Sequence, residues 1–338
     1  MNKIKIFCPE EVSLNQFPLS EELKNYFILI QDDENFDPNY DISCVRFTTS
    51  IPKIDINKPV LLDGLWEQFL LDNFNTDILG KFLAMLGAYR RNSNDTTLRV
   101  PKWFWYTEKS FFGKPDIINL NQDLKKFLFL MPINRRREWR IDFVESLGHD
   151  LLDKSRYSLV CNGITLESNT LDEKQRLSYP DWYIESGISD DTSGPDVYQR
   201  LFDPLWYSET YFSMVLETTI DKKSSEIFIT EKTFKPIMHG HPFMIYGQAG
   251  ILAELKRWGF ETYENIFDEE YDNIEDNEQR KNKIIDNIRN VDSSQFVTKL
   301  TLEKILHNRN LFFNDQFYKQ GIYTDIVKPI QDFLKRAL

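Results

Sequence analysis

The 338-residue chain is poor in the residues that build staples and metal centres, with three cysteines and four histidines. Cys8, Cys44 and Cys161 are scattered, odd in number and far apart. That argues against a disulfide framework, a zinc site or a redox pair, and fits reduced thiols inside a cell. No run of apolar residues approaches the ~18 needed to cross a bilayer. The short apolar alternation at the N-terminus soon meets Pro9, Glu10 and Glu11, so it does not read as a signal peptide. A soluble, cytoplasmic protein is expected. No internal repeat and no low-complexity tract is present, and Asp-x-Asp, a frequent metal-binding pattern, occurs nowhere. Positive charge is also short: 41 Lys and Arg stand against 53 Asp and Glu, a net of −12. This disfavours a protein whose whole surface follows nucleic acid or an anionic membrane.

What is present is apolar and aromatic. Hydrophobic residues make up 41% and aromatics 14% of the chain, the composition of a folded protein. At roughly 150 residues per domain the length suggests two domains. Strands are expected at Lys3–Phe7, Pro59–Asp63, Lys126–Met131, Ser155–Cys161, Tyr211–Glu217 and Pro242–Gly247. The aromatic run Val100–Tyr106 also reads as a buried strand. Helices are expected at Leu65–Leu71, Ile78–Tyr89, Asn134–Leu147, Gly250–Trp258 and along Gln316–Leu338. Residues 113–124 have linker composition, and residues 164–200 read as an irregular insertion. Strands that alternate with helices imply two α/β assemblies with mainly parallel sheets.

Two segments point to an anion. Lys125 to Arg140 holds six basic residues and one acid inside a strongly acidic chain. Its Arg135, Arg136, Arg137 and Arg140 follow a strand, where parallel sheets place phosphate-binding groups. The alternative is a solvated basic helix face paired with the acidic stretch 261–290. In Ile227-Phe228-Ile229-Thr230-Glu231-Lys232-Thr233, Thr230 suits a helix N-cap, with Glu231 and Lys232 in the first turn. A helix N-terminus with a lysine beside it attracts phosphate; an ordinary cap with a favourable acidic neighbour is the other reading. His239-Gly240-His241 reads as a helix end and strand start rather than a metal pair. Trp103, Trp105 and Tyr106 read as core rather than a sugar platform, and Gly247-Gln248-Ala249-Gly250 as a turn that could be plain or could approach a ligand.

Taken in order, Tyr211-Phe212-Ser213-Met214-Val215-Leu216-Glu217, then Phe228-Ile229-Thr230-Glu231-Lys232, then His241 to Gly247 resembles the donor-binding half of fucosyltransferase-like GT-B glycosyltransferases. Phage and marine-virus glycosyltransferase sequences look closer still, with Thr-Glu-Lys-Thr-aromatic-Lys-Pro and an Asn-Arg-Arg strand exit. The resemblance covers roughly residues 125–275 and is most specific at Thr230-Glu231-Lys232. It departs from the family at Leu216, Thr218 and the longer interval from Glu217 to Glu231.

The resemblance implies two doubly wound, Rossmann-like domains facing a central cleft. These would be an acceptor-side domain at 1–120, a nucleotide-sugar domain at 121–315, and a C-terminal helix at 316–338 that crosses back. It implies that Lys232 and Arg140 bind the donor diphosphate, Glu231 the ribose hydroxyls and Phe228 the base, with Thr230 and Glu217 also in the donor site. Asn134, Arg135 and Arg136 are further phosphate candidates. The expected reaction is sugar transfer from a nucleoside-diphosphate donor to an acceptor hydroxyl, such as that of a glycan, without metal or other cofactor. If it inverts configuration, a carboxylate must take the acceptor proton. Asp63 and Glu67 are the first candidates and Glu108 the third; each could instead be a cap or a surface residue. A viral relative would work in the infected host's cytoplasm. Two alternatives stay open: transfer to a modified nucleobase in viral DNA, which lacks a clear basic strip here, and a non-catalytic nucleotide- or glycan-binding module.

Overall fold

A computed structural model describes residues 3–8, 25–31, 41–46, 59–64, 82–86, 97–111, 124–133, 137–159, 204–221 and 227–337. The chain divides into two compact units: residues 1–113, 223–228 and 313–338 in the first, 114–222 and 229–312 in the second. The expected helix at Leu65–Leu71, the linker at 113–124 up to residue 123 and the insertion at 164–200 lie outside the described residues.

The first unit is built on six strands: β1 (Ile4–Cys8), β2 (Phe27–Gln31), β3 (Ile42–Arg46), β4 (Val60–Gly64), β5 (Phe82–Leu86) and β6 (Thr97–Arg99). They pair in the order β2-β1-β3-β4-β5-β6, all parallel. Strand β5 corrects the helix expected at Ile78–Tyr89. It pairs with parallel strands on both sides, and such a strand carries an unbroken apolar run whose period cannot be told from that of a buried helix. The aromatic run expected as a strand is helix α1 (Trp103–Phe111), entered through a turn at Pro101 and Lys102. Trp103, Phe104, Trp105 and Tyr106 are all buried, so four successive positions face protein. A helix covered all round loses the amphipathic period that would reveal it.

The second unit centres on β7 (Phe127–Ile133), followed by α2 (Glu138–Leu147), α3 (His149–Leu152) and β8 (Ser155–Leu159). Then come α4 (Pro204–Ser208), β9 (Thr210–Leu216), α5 (Glu231–His239), β10 (Phe243–Tyr246) and α6 (Ile251–Arg257). Its four-stranded sheet, ordered β10-β9-β7-β8, is also parallel throughout. Phe129, Leu130, Met131, Phe212, Met214 and Met244 form its core and are buried completely. Parallel pairing brings the exits of β7, β9 and β10 to one edge of the sheet, with α2 and α5 each starting beside that edge. The acidic stretch 261–290 folds into a 3-10 turn and α7 (Asn277–Asn290), which Asp276 caps by accepting from the Gln279 N–H at 2.8 Å. Helix α8 (Lys299–Phe312) closes the unit.

The chain returns to the first unit in α9 (Asp315–Ile322), a π turn (Tyr323–Val327) and α10 (Lys328–Ala337). This tail packs on α1: Trp105 stacks on Phe317 at 5.2 Å, and the Tyr106 hydroxyl donates to Asp325 at 2.5 Å.

Candidate functional site

The exit of β9 is held from three sides. Arg140, in the first turn of α2 and 3% exposed, donates through Nη2 to the carbonyls of Leu216 at 3.2 Å and Glu217 at 2.8 Å. Its guanidinium also lies 5.0 Å from the centre of the Trp139 ring. From the other side Arg280 of α7, fully buried, donates to the carbonyls of Ile220 at 2.9 Å and Gly247 at 3.1 Å, and to those of Ile274 and Glu275. One side chain thereby pins the loops after both β9 and β10. The third hold is the Glu217 carboxylate, 0% exposed, which accepts from Thr230 and Thr233 at the start of α5 and from the Thr218 N–H.

Helix α5 starts where the sequence places it. Thr230 has the extended backbone of an N-cap, with φ −111° and ψ −177°. Its side chain departs from the expectation: instead of capping a backbone N–H, the hydroxyl donates to Glu217 Oε2 at 2.6 Å. A buried carboxylate is the stronger acceptor and competes successfully for the hydroxyl. The helix ends in a Schellman turn, in which Gly240, at φ 69°, donates to the Ile237 carbonyl and the His241 N–H to that of Pro236. A side chain at Gly240 would meet Arg309 Cδ at 2.9 Å.

Glu231 and Lys232 form an ion pair at 2.5 Å in the first turn. Burial alone would raise the Glu231 carboxyl, but the charges of Lys232 and Lys235 prevail and bring its pKa down to about 2. Lys232 is 28% exposed, and its ammonium also reaches the hydroxyls of Thr218 at 3.2 Å and Thr230 at 3.4 Å. A partly solvated cation at a helix N-terminus, with a buried arginine bound to the carbonyls of the strand exit that the helix start also contacts, is an arrangement that can stabilise charge on a phosphate.

The structure thus brings Glu217, Thr230, Glu231 and Lys232 together, with Arg140 tied to the same strand exit. Phe228, two residues before Thr230, groups with the first unit, where it is buried edge-on to Phe104 at 5.7 Å. Asn134, Arg135, Arg136 and Glu67 fall outside the described residues. Asp63 is the fourth residue of β4, in register with Arg46 and Met85, near the carboxyl end of a central strand. Glu108 is buried in the middle of α1, so the strand exit that suggested it does not exist.

The remaining motifs resolve structurally. His241 is completely buried; its Nε2–H donates to the Thr210 carbonyl and its Nδ1 accepts from the Ser213 hydroxyl, both at 2.8 Å. Burial lowers its pKa to about 3, and that of His239, stacked on Tyr207, to about 4. Trp103 and Trp105 are core. Gly247 lies against Glu217, where a Cβ would come within 3.2 Å of the glutamate's own Cβ. Asp272 closes the following turn by accepting from the N–H groups of Leu252 and Ala253 at the start of α6.

Sequence reasoning missed Thr233, Thr218 and Arg280. The first was legible, since residues three apart at a helix start share a face, and Thr230 and Thr233 are so spaced. Arg280 lay hidden among charges read as a solvated face.

No protein-family model and no curated protein sequence matches the chain. Among solved structures, an α1,3-fucosyltransferase with GDP is similar at 13% identity and a TM-score of 0.52, over 98% of this chain and 90% of that one. An α1,3-fucosyltransferase with GDP-fucose has 11% identity and a TM-score of 0.49 over the same shares. No helix among the described residues is long and apolar enough to cross a membrane. Two parallel α/β sheets and likeness over nearly the whole length give this chain a GT-B-like fold.

Proposed function

We propose that the chain is a glycosyltransferase that moves a sugar from a nucleoside-diphosphate donor to an acceptor hydroxyl. The observation that carries this reading is the constellation at the β9 exit: Lys232 and Glu231 in the first turn of α5, with Arg140 fixed on the carbonyls of Leu216 and Glu217. Likeness in fold to an α1,3-fucosyltransferase with GDP supports it.

In this reading Lys232 meets the diphosphate, Arg140 adds its buried positive charge at the strand exit, and Glu231 serves the ribose hydroxyls. As the glycosidic bond breaks, its electron pair passes to the diphosphate oxygen. Fixed cations and the α5 N-terminus stabilise that charge without reorganising. With two cations so placed, the proposal requires no metal. Inversion follows if Asp63 or Glu67, from the first unit, removes the acceptor proton while the hydroxyl oxygen attacks the anomeric carbon.

A panel of nucleotide sugars tests the proposal, read first by thermal shift and then by hydrolysis or transfer. At least one donor should raise the melting temperature and turn over. A panel in which none binds would overturn the reading.

A further inference from the structure

We infer that Glu217 is a positioning residue whose buried carboxylate aims Lys232 at the donor diphosphate, an inference that rests on the reading above. Glu217 is completely buried, and both of its oxygens are filled. Oε1 accepts from the Thr230 N–H at 3.0 Å and the Thr233 hydroxyl at 2.6 Å. Oε2 accepts from the Thr218 N–H at 3.0 Å and the Thr230 hydroxyl at 2.6 Å. The carboxylate therefore has no open side for a ligand, and its action must pass through its partners.

Those partners lead to Lys232. A hydroxyl that gives its proton to Glu217 must turn its lone pairs elsewhere. For Thr230 one lies toward the Lys232 ammonium, 3.4 Å away. The Thr218 N–H, held by the same carboxylate, fixes the residue whose hydroxyl accepts from Lys232 at 3.2 Å. Two of the three oxygens around the ammonium are thus set by Glu217, and the third belongs to Glu231. An ammonium on a flexible four-carbon stem has little orientation of its own, so this cradle decides where its remaining charge points.

The carboxylate is chemically specified. Each oxygen faces one backbone N–H, which cannot reverse, together with one hydroxyl. A glutamine of the same shape would, in either flip, press its NH2 group against one of those N–H donors. Gly247 leaves the room: a Cβ there would stand 3.2 Å from Glu217 Cβ and 3.0 Å from Ile251 Cδ1.

A double-mutant cycle tests the inference, with GDP, UDP, CDP and ADP as probes and calorimetry as the readout. In the wild-type background E217Q should weaken the nucleotide that binds by roughly tenfold, within the range for coupled neighbours. In the K232A background the same change should cost less than about twofold, because there is no lysine left to aim. T233V, which removes one hydrogen bond and keeps shape and charge, should show the same pattern at smaller size, and serves if E217Q does not fold. Equal losses in both backgrounds would mean general damage to the strand exit and would overturn the inference, as would E217Q and T233V binding like wild type. If the wild-type protein binds none of the four nucleotides, the glycosyltransferase reading fails first and takes this inference with it.

Discussion

Gly321 lies so close to Tyr106 that a Cβ on it would stand 2.4 Å from the phenol oxygen and 2.9 Å from the ring carbon bearing it. Tyr106 cannot retreat freely, because its hydroxyl is bonded to Asp325 and its ring meets Tyr318 edge-on at 6.0 Å. Helix propensity alone would favour alanine at position 321 by about 1 kcal/mol. The contact should reverse that sign, so G321A is expected to destabilise the protein by about 1–3 kcal/mol. Denaturant unfolding checks this, and a stabilised variant would contradict the packing of α9 on α1.

The two cations of the candidate site should behave differently. Lys232 is partly exposed and sits among hydroxyls. K232A should weaken nucleoside-diphosphate binding by about tenfold or more, the worth of a charged hydrogen bond, and should lower stability chiefly through Glu231, which loses its nearest cation, so that adding E231Q recovers stability without recovering binding. Arg140 is buried and holds two carbonyls at the end of β9. R140A should weaken binding and also destabilise by about 1–3 kcal/mol, because buried carbonyls lose their donor. Calorimetry and thermal unfolding together separate the two patterns; a stable R140A with intact binding would remove Arg140 from the site.

Acidification should expose His241. Its pKa is about 6.5 in the unfolded chain and is lowered by burial to about 3 in the folded one. The folded state thus binds fewer protons between those values, and the stability present above pH 6.5 declines as the pH falls toward 3. The slope is about 1.4 kcal/mol per pH unit for each such histidine; His239, lowered to about 4, adds to it. H241N should be less stable in itself but should show a shallower slope from pH 6.5 to 5, above the carboxylate range. Parallel unfolding curves for wild type and variant would contradict the assignment of a neutral, buried His241.

Chemistry and donor binding should be separable. D63N or E67Q should abolish transfer while leaving nucleotide affinity within about twofold, because each lies in the first unit's stretch of chain and donor binding is proposed for the second. Loss of affinity in both variants, measured by calorimetry, would refute a base role for either.

Read alone, the sequence determined the elements that repeat a simple period and the residues that carry unusual chemistry in a short span. Strands β1, β4, β7, β8, β9 and β10, the helices α2, α5 and α6, and the segment Thr230-Glu231-Lys232 were all legible, because propensity and local spacing specify them. It failed where burial on every side erases the period, which made β5 look like a helix and α1 like a strand. Only the tertiary structure could decide what Thr230, Thr233, Glu217 and Arg280 do. Glu217 and Thr230 are thirteen positions apart in sequence, yet are joined by two hydrogen bonds. Arg280 reaches back sixty residues to Ile220. Such bonds depend on parallel strands delivering distant residues to one edge in one low-dielectric place, where a carboxylate must find donors or not be buried at all. No local pattern encodes that meeting.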